Sequence, residues 1–341
     1  MSRPLLIVNP RSGWARTGRQ FPRMLAAIER ALGDVEIAHT TRCGHAIDLA
    51  YRGALEGHDP VISVGGDGTL NEVVNGLMKA RADGGAECAG RGAERAPRLG
   101  LIAAGTGGDF RRSLGLQHSL DAYLEALTSG RERTIDVGLA RFTGNDGRPA
   151  TRYFVNVLSA GAGGLVDRYV GQAPAWIGGR AAYYLASLRA IARCVRAPLR
   201  CRVTFAGKTS ERLISPYLVC VANGAWFGAG MHVAPMARLD DGRLEVVSLG
   251  LPSKRYLVRR MPIVYAGAHL DEPGVEHFGC QKIEFEFDHE RMSEAQLAAA
   301  GRRFLLDVDG DALGGMPLSI EVVPAALVTL APPVGRVGVA R

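Results

Sequence analysis

The chain has 341 residues, 47% of them apolar and 22% charged, with a formal net charge of +7. This excludes wholesale disorder, and the length points to two domains at roughly 150 residues each. The positive balance fits either a general arginine bias or attraction to a polyanion, whether nucleic acid, anionic head groups or a phosphorylated ligand.

The first residues run straight into Leu5-Leu6-Ile7-Val8, an apolar stretch too short for a signal peptide and read as a first strand. Short apolar runs then alternate with helical patterns. A helix is predicted over 17–32, a strand at VEIAHT, a helix over 45–56, a strand at PVISVGG, a helix over 69–80 and a strand at RLGLIAAG. This is the rhythm of a parallel sheet covered by helices, whose ligands sit at the carboxyl ends of the strands. Residues 81–97, rich in glycine, alanine and charge without period, read as a surface insertion.

After Asp136 the texture becomes β-rich alternation, as in RYFVNVLSAG, CRVTFAG, SPYLVCVANG, RLEVVSLG and KIEFEFD, predicting a mostly antiparallel second domain. A helix is predicted from Ala181 to about Arg196, with Tyr184, Leu188, Ile191 and Val195 on one stripe and arginines at 189, 193 and 196. Packing of that helix on the sheet and contact with a membrane surface are both open readings. No run of 18 apolar residues suggests a membrane span. The six cysteines form no Cys-x-x-Cys pair and no zinc-type spacing with the eight histidines, which fits thiols in a cytoplasmic protein. The apolar tail 317–341 either ends the second domain or returns to the first.

The segment VISVGGDGTLNEVVNGL poses the chemical question. Asp-Gly between apolar runs signals a hairpin, but Leu70, Val73, Val74 and Leu77 recur at helical spacing, so the reading is strand, glycine loop, helix. Such a turn aims backbone N–H groups and the positive helix end at a phosphate. It is neither a Walker A sequence nor a dinucleotide fingerprint. Asp67 would repel a bare phosphate, so a magnesium ion or a reacting hydroxyl is the natural intermediary.

Four blocks in order carry a resemblance: Asn9-Pro10-Arg11-Ser12-Gly13; Thr40 with Gly44-His45-Ala46; Gly65-Gly66-Asp67-Gly68-Thr69-Leu70-Asn71-Glu72-Val73; and Gly105-Thr106 with Asp109-Phe110. Together they resemble the diacylglycerol kinase catalytic domain, and the full pattern resembles the bacterial lipid kinases of the diacylglycerol kinase and sphingosine kinase superfamily. The resemblance implies an α/β nucleotide-binding domain over 1–136, related to phosphofructokinase and NAD kinase. It also implies a β-sandwich domain over 137–316 and a nucleotide cleft between the two. ATP would be held by residues 9–13, Thr40, residues 65–71 and Thr106, with Asp67 positioning magnesium-bound phosphate or water and Asp109 joining an acidic network.

The family's closing Asp-Gly-Glu, whose glutamate takes the proton of the lipid hydroxyl, reads here Asp309-Gly310-Asp311. Asp311 is one methylene shorter, and a misplacement of about an ångström costs roughly a hundredfold in rate. Gly108 stands where the family has asparagine. Asp241, with the carbonyls of Arg238 and Arg243, resembles the family's structural magnesium site, although a plain Asp-Gly turn satisfies the same residues.

The resemblance implies an ATP- and Mg2+-dependent kinase acting on a diacylglycerol-like or sphingoid hydroxyl, cytoplasmic or peripheral at an anionic membrane surface, with a homodimer as one open assembly. Phosphorylation of a soluble acceptor, as in NAD kinases, and a binding protein that has lost catalysis through Gly108 and Asp311 are the alternatives. Nucleic acid is disfavoured, because the basic residues are not interleaved with aromatics on one face.

Overall fold

A computed structural model describes residues 2–87, 97–105, 107–170, 172 and 179–332. The chain divides into two compact units, Met1–Ile135 with Ala325–Arg341, and Asp136–Pro324. The boundary expected after 316 therefore falls inside the second unit, and residues 325–332 return to the first.

In the first unit β1 (Leu5–Val8), α1 (Ser12–Leu32), β2 (Glu36–His39), α2 (His45–Leu55), β3 (Val61–Gly65), α3 (Asp67–Glu87) and β4 (Leu99–Ala103) alternate, followed by α4 (Asp109–Ser113) and α5 (Leu120–Ser129). The strands pair in parallel in the order β4-β3-β1-β2. Every residue of β1, β3 and β4 is buried, as expected for strands covered by helices on both faces. Thr329, in the returning segment, pairs in parallel with Leu99 and donates its hydroxyl to the Leu99 carbonyl at 3.2 Å. Helix α1 begins five residues before its predicted start, at Ser12 rather than 17, and α3 runs on to Glu87. Residues 81–87 of the expected insertion are thus helical, and the rest of it, through 96, lies outside the described residues.

The second unit begins within β5 (Arg131–Gly144) and continues with β6 (Pro149–Phe154), β7 (Val157–Gly161), α6 (Ala162–Val170), α7 (Gly179–Arg193), β8 (Leu199–Phe205), β9 (Lys208–Ile214), β10 (Leu218–Ala222) and β11 (Leu244–Leu249). Helix α8 (Lys254–Ala266), β12 (Val275–Cys280), β13 (Lys282–Phe287), α9 (Glu294–Arg303), β14 (Leu305–Val308) and β15 (Asp311–Ala331) complete it, the last strand crossing back into the first unit. Strands β12-β11-β10-β7-β14 form an antiparallel sheet. Strand β13 lies between β8 and β15, and β8 pairs with β9, all antiparallel. Alternation along β10 explains the layering. Val219 and Val221 pack with Val203, Ile283 and Phe285, whereas Leu218, Cys220 and Ala222 pack with Leu165, Ala186 and Ala190 of the helices.

The stripe predicted for α7 holds at Ile191, which is buried, and at Val195 just beyond the helix, which packs on the core, but not at Tyr184. Ala182, Ala186, Ala190 and Ile191 face inward, while Tyr184 and Leu185 are exposed at 63% and 53%. Small side chains permit close helix approach, so the inward face in the first turns of the helix is made of alanines, with Ile191 joining it near the end.

Candidate active site

The site is built where β1, β3 and β4 of the first unit end. Strand β3 closes at Gly65 and α3 opens at Asp67 with only Gly66 between them, so the expected loop is mostly the first turn of a helix. Its N–H groups at Asp67, Gly68 and Thr69 have no partner four residues back in the helix and are available to an anion. Gly65 accepts at its carbonyl from the Ala104 and Gly105 amides, at 2.8 and 3.1 Å. A Cβ at Gly105 would lie 2.5 Å from the Gly66 Cα, so only glycine lets the β3 and β4 ends meet this closely.

The loop after β1 is tied to the same point. The Asn9 side-chain amide donates to Thr69 Oγ1 at 2.9 Å, and its Oδ1 accepts from the Arg11 amide at 3.0 Å. Ser12 donates to the Asn9 carbonyl at 3.1 Å and meets the Thr17 hydroxyl at 2.5 Å, while the Pro10 carbonyl accepts from Gly18. Gly13, with φ +58°, lies against the Ala104 carbonyl. Thr40 is nearly buried, and its amide bonds the Val8 carbonyl next to Asn9. The structure thus brings together Asn9, Pro10, Arg11, Ser12, Gly13, Thr40, Gly65, Gly66, Asp67, Gly68 and Thr69.

Other expected residues are engaged within the protein. Leu70 and Asn71 are buried, and Asn71 accepts from the Asn75 side chain at 3.1 Å. Thr106 lies outside the described residues. Asp67 does not project into open solvent. Its Oδ2 accepts from the amides of Gly108 at 2.7 Å and Asp109 at 3.3 Å. The aspartate therefore clamps the start of α4, whose N-cap Gly108 has φ +65° and no side chain of its own. Asp109 is buried and bonded to Arg112 at 2.8 Å, not displayed as an open acid.

The sequence reading gave no role to Glu72. Its two oxygens accept from the amides of Gly44 at 2.7 Å and Ala46 at 3.0 Å, capping α2. A signal existed: α2 starts after Gly44, which has no side chain to cap it, leaving first-turn amides that an acid on a neighbouring element can take.

Beside Gly105 lies a cavity of about 310 Å³, lined also by Arg16, Gln20, Met24, His118 and Tyr123. The Tyr123 hydroxyl bonds His118 Nδ1 at 2.7 Å, and burial pushes its pKa up to about 12. Burial lowers the pKa of His118 and of Arg111, the latter donating to the Leu116 carbonyl at 2.6 Å.

In the second unit, Asp309-Gly310 forms a two-residue turn joining β14 to β15, with Val308 opposite Asp311 and φ of +50° and +94°. Positive φ at both turn residues is what a twisted hairpin needs. The Asp309 carboxylate accepts from the amides of Val155, Asn156 and Val157 at 3.0, 3.2 and 2.9 Å. Asp307 accepts from the Gly310 amide at 2.8 Å and Ser159 at 3.2 Å. Asp311 stands apart: its side chain is 29% exposed, and Oδ2 meets Arg152 Nη2 at 3.1 Å.

Asp241 pairs with Arg243 at 3.0 Å, and Arg238 approaches Asp240 at 3.9 Å. No group of three or more His, Cys, Asp or Glu converges as for a metal among the described residues. Asp241 with the two carbonyls is an all-oxygen set of the kind magnesium accepts, but the ion would share the carboxylate with Arg243.

Residues 3–140 match the diacylglycerol kinase catalytic domain, and residues 156–331 match the YegS C-terminal NAD kinase beta sandwich-like domain. The parallel α/β unit with its glycine-bound strand end thus matches a kinase catalytic domain, and the antiparallel unit after it matches an NAD kinase-like β sandwich. The chain belongs to the diacylglycerol kinase family. It is 26% identical over 288 residues to the diacylglycerol kinase of Bacillus subtilis (strain 168), covering 83% of this chain and 86% of the relative. It is 27% identical over 319 residues to the diacylglycerol kinase of Staphylococcus aureus (strain bovine RF122 / ET3-1), covering 92% and 88%. A crystal structure from Bacillus anthracis str. Sterne is similar with a TM-score of 0.68 at 25% identity, over 97% of this chain and 98% of that one. No helix among the described residues is long and apolar enough to cross a membrane.

Proposed function

We propose that the chain is an ATP-dependent lipid kinase that transfers the γ-phosphate to a hydroxyl of a diacylglycerol-like or sphingoid acceptor. The observation that carries this reading is the meeting of the β1, β3 and β4 ends at Asn9, Gly66 and Gly105, beside the first turn of α3. The names of the relatives favour diacylglycerol among the acceptors.

In this reading the Gly66–Thr69 amides and the Asn9–Gly13 loop hold the phosphates, and Thr40 borders the nucleotide. Asp67 acts at one remove by holding the Gly108 and Asp109 amides in place. A magnesium ion bound with ATP would supply charge neutralisation to the transferring phosphate. Asp67 and Asp109 are already engaged by protein donors, so phosphate oxygens and water would supply most of its ligands, as is usual for this ion. The acceptor oxygen attacks the γ-phosphorus, the bond to the bridging oxygen breaks, ADP leaves, and the hydroxyl proton passes to Asp311. The transition state is loose, so positioning and charge neutralisation dominate, and the shorter aspartate is tolerable. A structural magnesium at Asp241 with the Arg238 and Arg243 carbonyls belongs to the same reading.

The test offers γ-labelled ATP with magnesium to mixed micelles of diacylglycerol or sphingoid base, and separately to NAD. The expected result is label in lipid. Label in NAD and none in lipid would reject the reading.

A further inference from the structure

Asp311 is tied to a partner 159 residues away in sequence. Arg152 lies on β6, opposite Ala140 of β5, and its side chain is only 14% exposed. The segments that bring the two together are fastened independently. The tight turn at Asp309-Gly310 fixes where β15 begins, and Asp309 grips the three successive amides that follow β6. Of the three aspartates in this hairpin, Asp307 and Asp309 are buried and spent on hydroxyl and amide donors, whereas Asp311 keeps an exposed face and takes an arginine. A charge-assisted contact from a guanidinium is stronger than one from a neutral amide donor and restricts where the Asp311 carboxylate lies.

We propose that Arg152 is a positioning residue for phosphoryl transfer, aiming the Asp311 carboxylate at the acceptor hydroxyl. This rests on the kinase reading given above. It also accounts for how an aspartate serves at this place: a short side chain tolerates little wandering, and the arginine removes the freedom that would leave it out of reach. Arg152 touches neither the acceptor nor the phosphate in this assignment. The proton still moves from the acceptor hydroxyl to Asp311 as the new O–P bond forms and ADP departs.

The experiment measures kcat and KM for ATP and for micellar diacylglycerol in the wild-type protein, Arg152→Met, Arg152→Lys, Asp311→Asn and the Arg152→Met/Asp311→Asn pair, with thermal melting of each. The expected result is a fall in kcat of roughly 10- to 100-fold for Arg152→Met, with KM for ATP within about twofold. Arg152→Lys should recover part of that loss, and the double variant should be no slower than Asp311→Asn, because the two residues act as one unit. Three outcomes overturn the assignment alone: active wild type with Arg152→Met unchanged, losses that multiply in the double variant, or a KM effect without a kcat effect. Wild type that phosphorylates no lipid removes the reaction, and this role with it.

Discussion

Asp67 illustrates how a charge in a phosphate-binding turn is accommodated. Left open, it would oppose the ligand. Bound to the amides of Gly108 and Asp109, it instead uses its charge to order the neighbouring turn, a charge-assisted contact stronger than a neutral one. Asp67→Asn keeps the shape but surrenders that charge and presents an N–H where an acceptor is needed. The expected consequence is a loss of ATP affinity of about tenfold or more, near 1.4 kcal/mol, with melting temperature little changed. Affinity for ATP equal to wild type by calorimetry would show that the clamp does not shape the site. The glycines and Asn9 were legible in the sequence because short, ordered blocks carry them. Asp67's actual partners and the burial of Asn71 were not, since both depend on where α3 and α4 lie in space.

Helices α2 and α3 pack closely because Gly76 faces α2: a Cβ there would stand 2.7 Å from Ala50 Cβ and 2.9 Å from the Tyr51 amide nitrogen. Helix propensity alone says that Gly76→Ala should stabilise by about 1 kcal/mol. The obstructing atoms belong to the opposing helix close to its backbone and cannot rotate away, so overpacking should win, costing about 1–3 kcal/mol. A lower midpoint in denaturant is expected, and an unchanged or higher one would contradict this packing. Since Glu72 of α3 also caps α2, the two helices behave as one element supporting Thr40 and its loop. The predicted α3 stopped at 80 because the glycine- and charge-rich stretch after it has no apolar period, yet the helix continues to Glu87. In α7 the periodicity found Ile191 but missed the alanines at 182, 186 and 190, because it favours large apolar residues while close helix packing selects small ones.

Across the whole molecule, the alternation of strands and helices up to Asp136 and the antiparallel texture beyond it were legible from apolar periodicity, which long-range contacts do not disturb. The return of residues 325–332 to the first unit was not, because an apolar strand fits either sheet and long-range contacts decide, the pairing of Thr329 with Leu99 and the Arg81 side chain on the Ala325 and Ala326 carbonyls. Arg152 gave no local signal for the same reason. The family match covers both units in order, and the proposed kinase activity requires that the first of them grip a nucleotide where its strand ends meet. Amide hydrogen exchange along the full chain, with and without ATP and magnesium, tests this most directly. Exchange at Gly66–Thr69 should slow by roughly tenfold or more on adding nucleotide, since ligand contact protects the amides it engages. Unchanged exchange there, with protection appearing elsewhere in the chain, would contradict it.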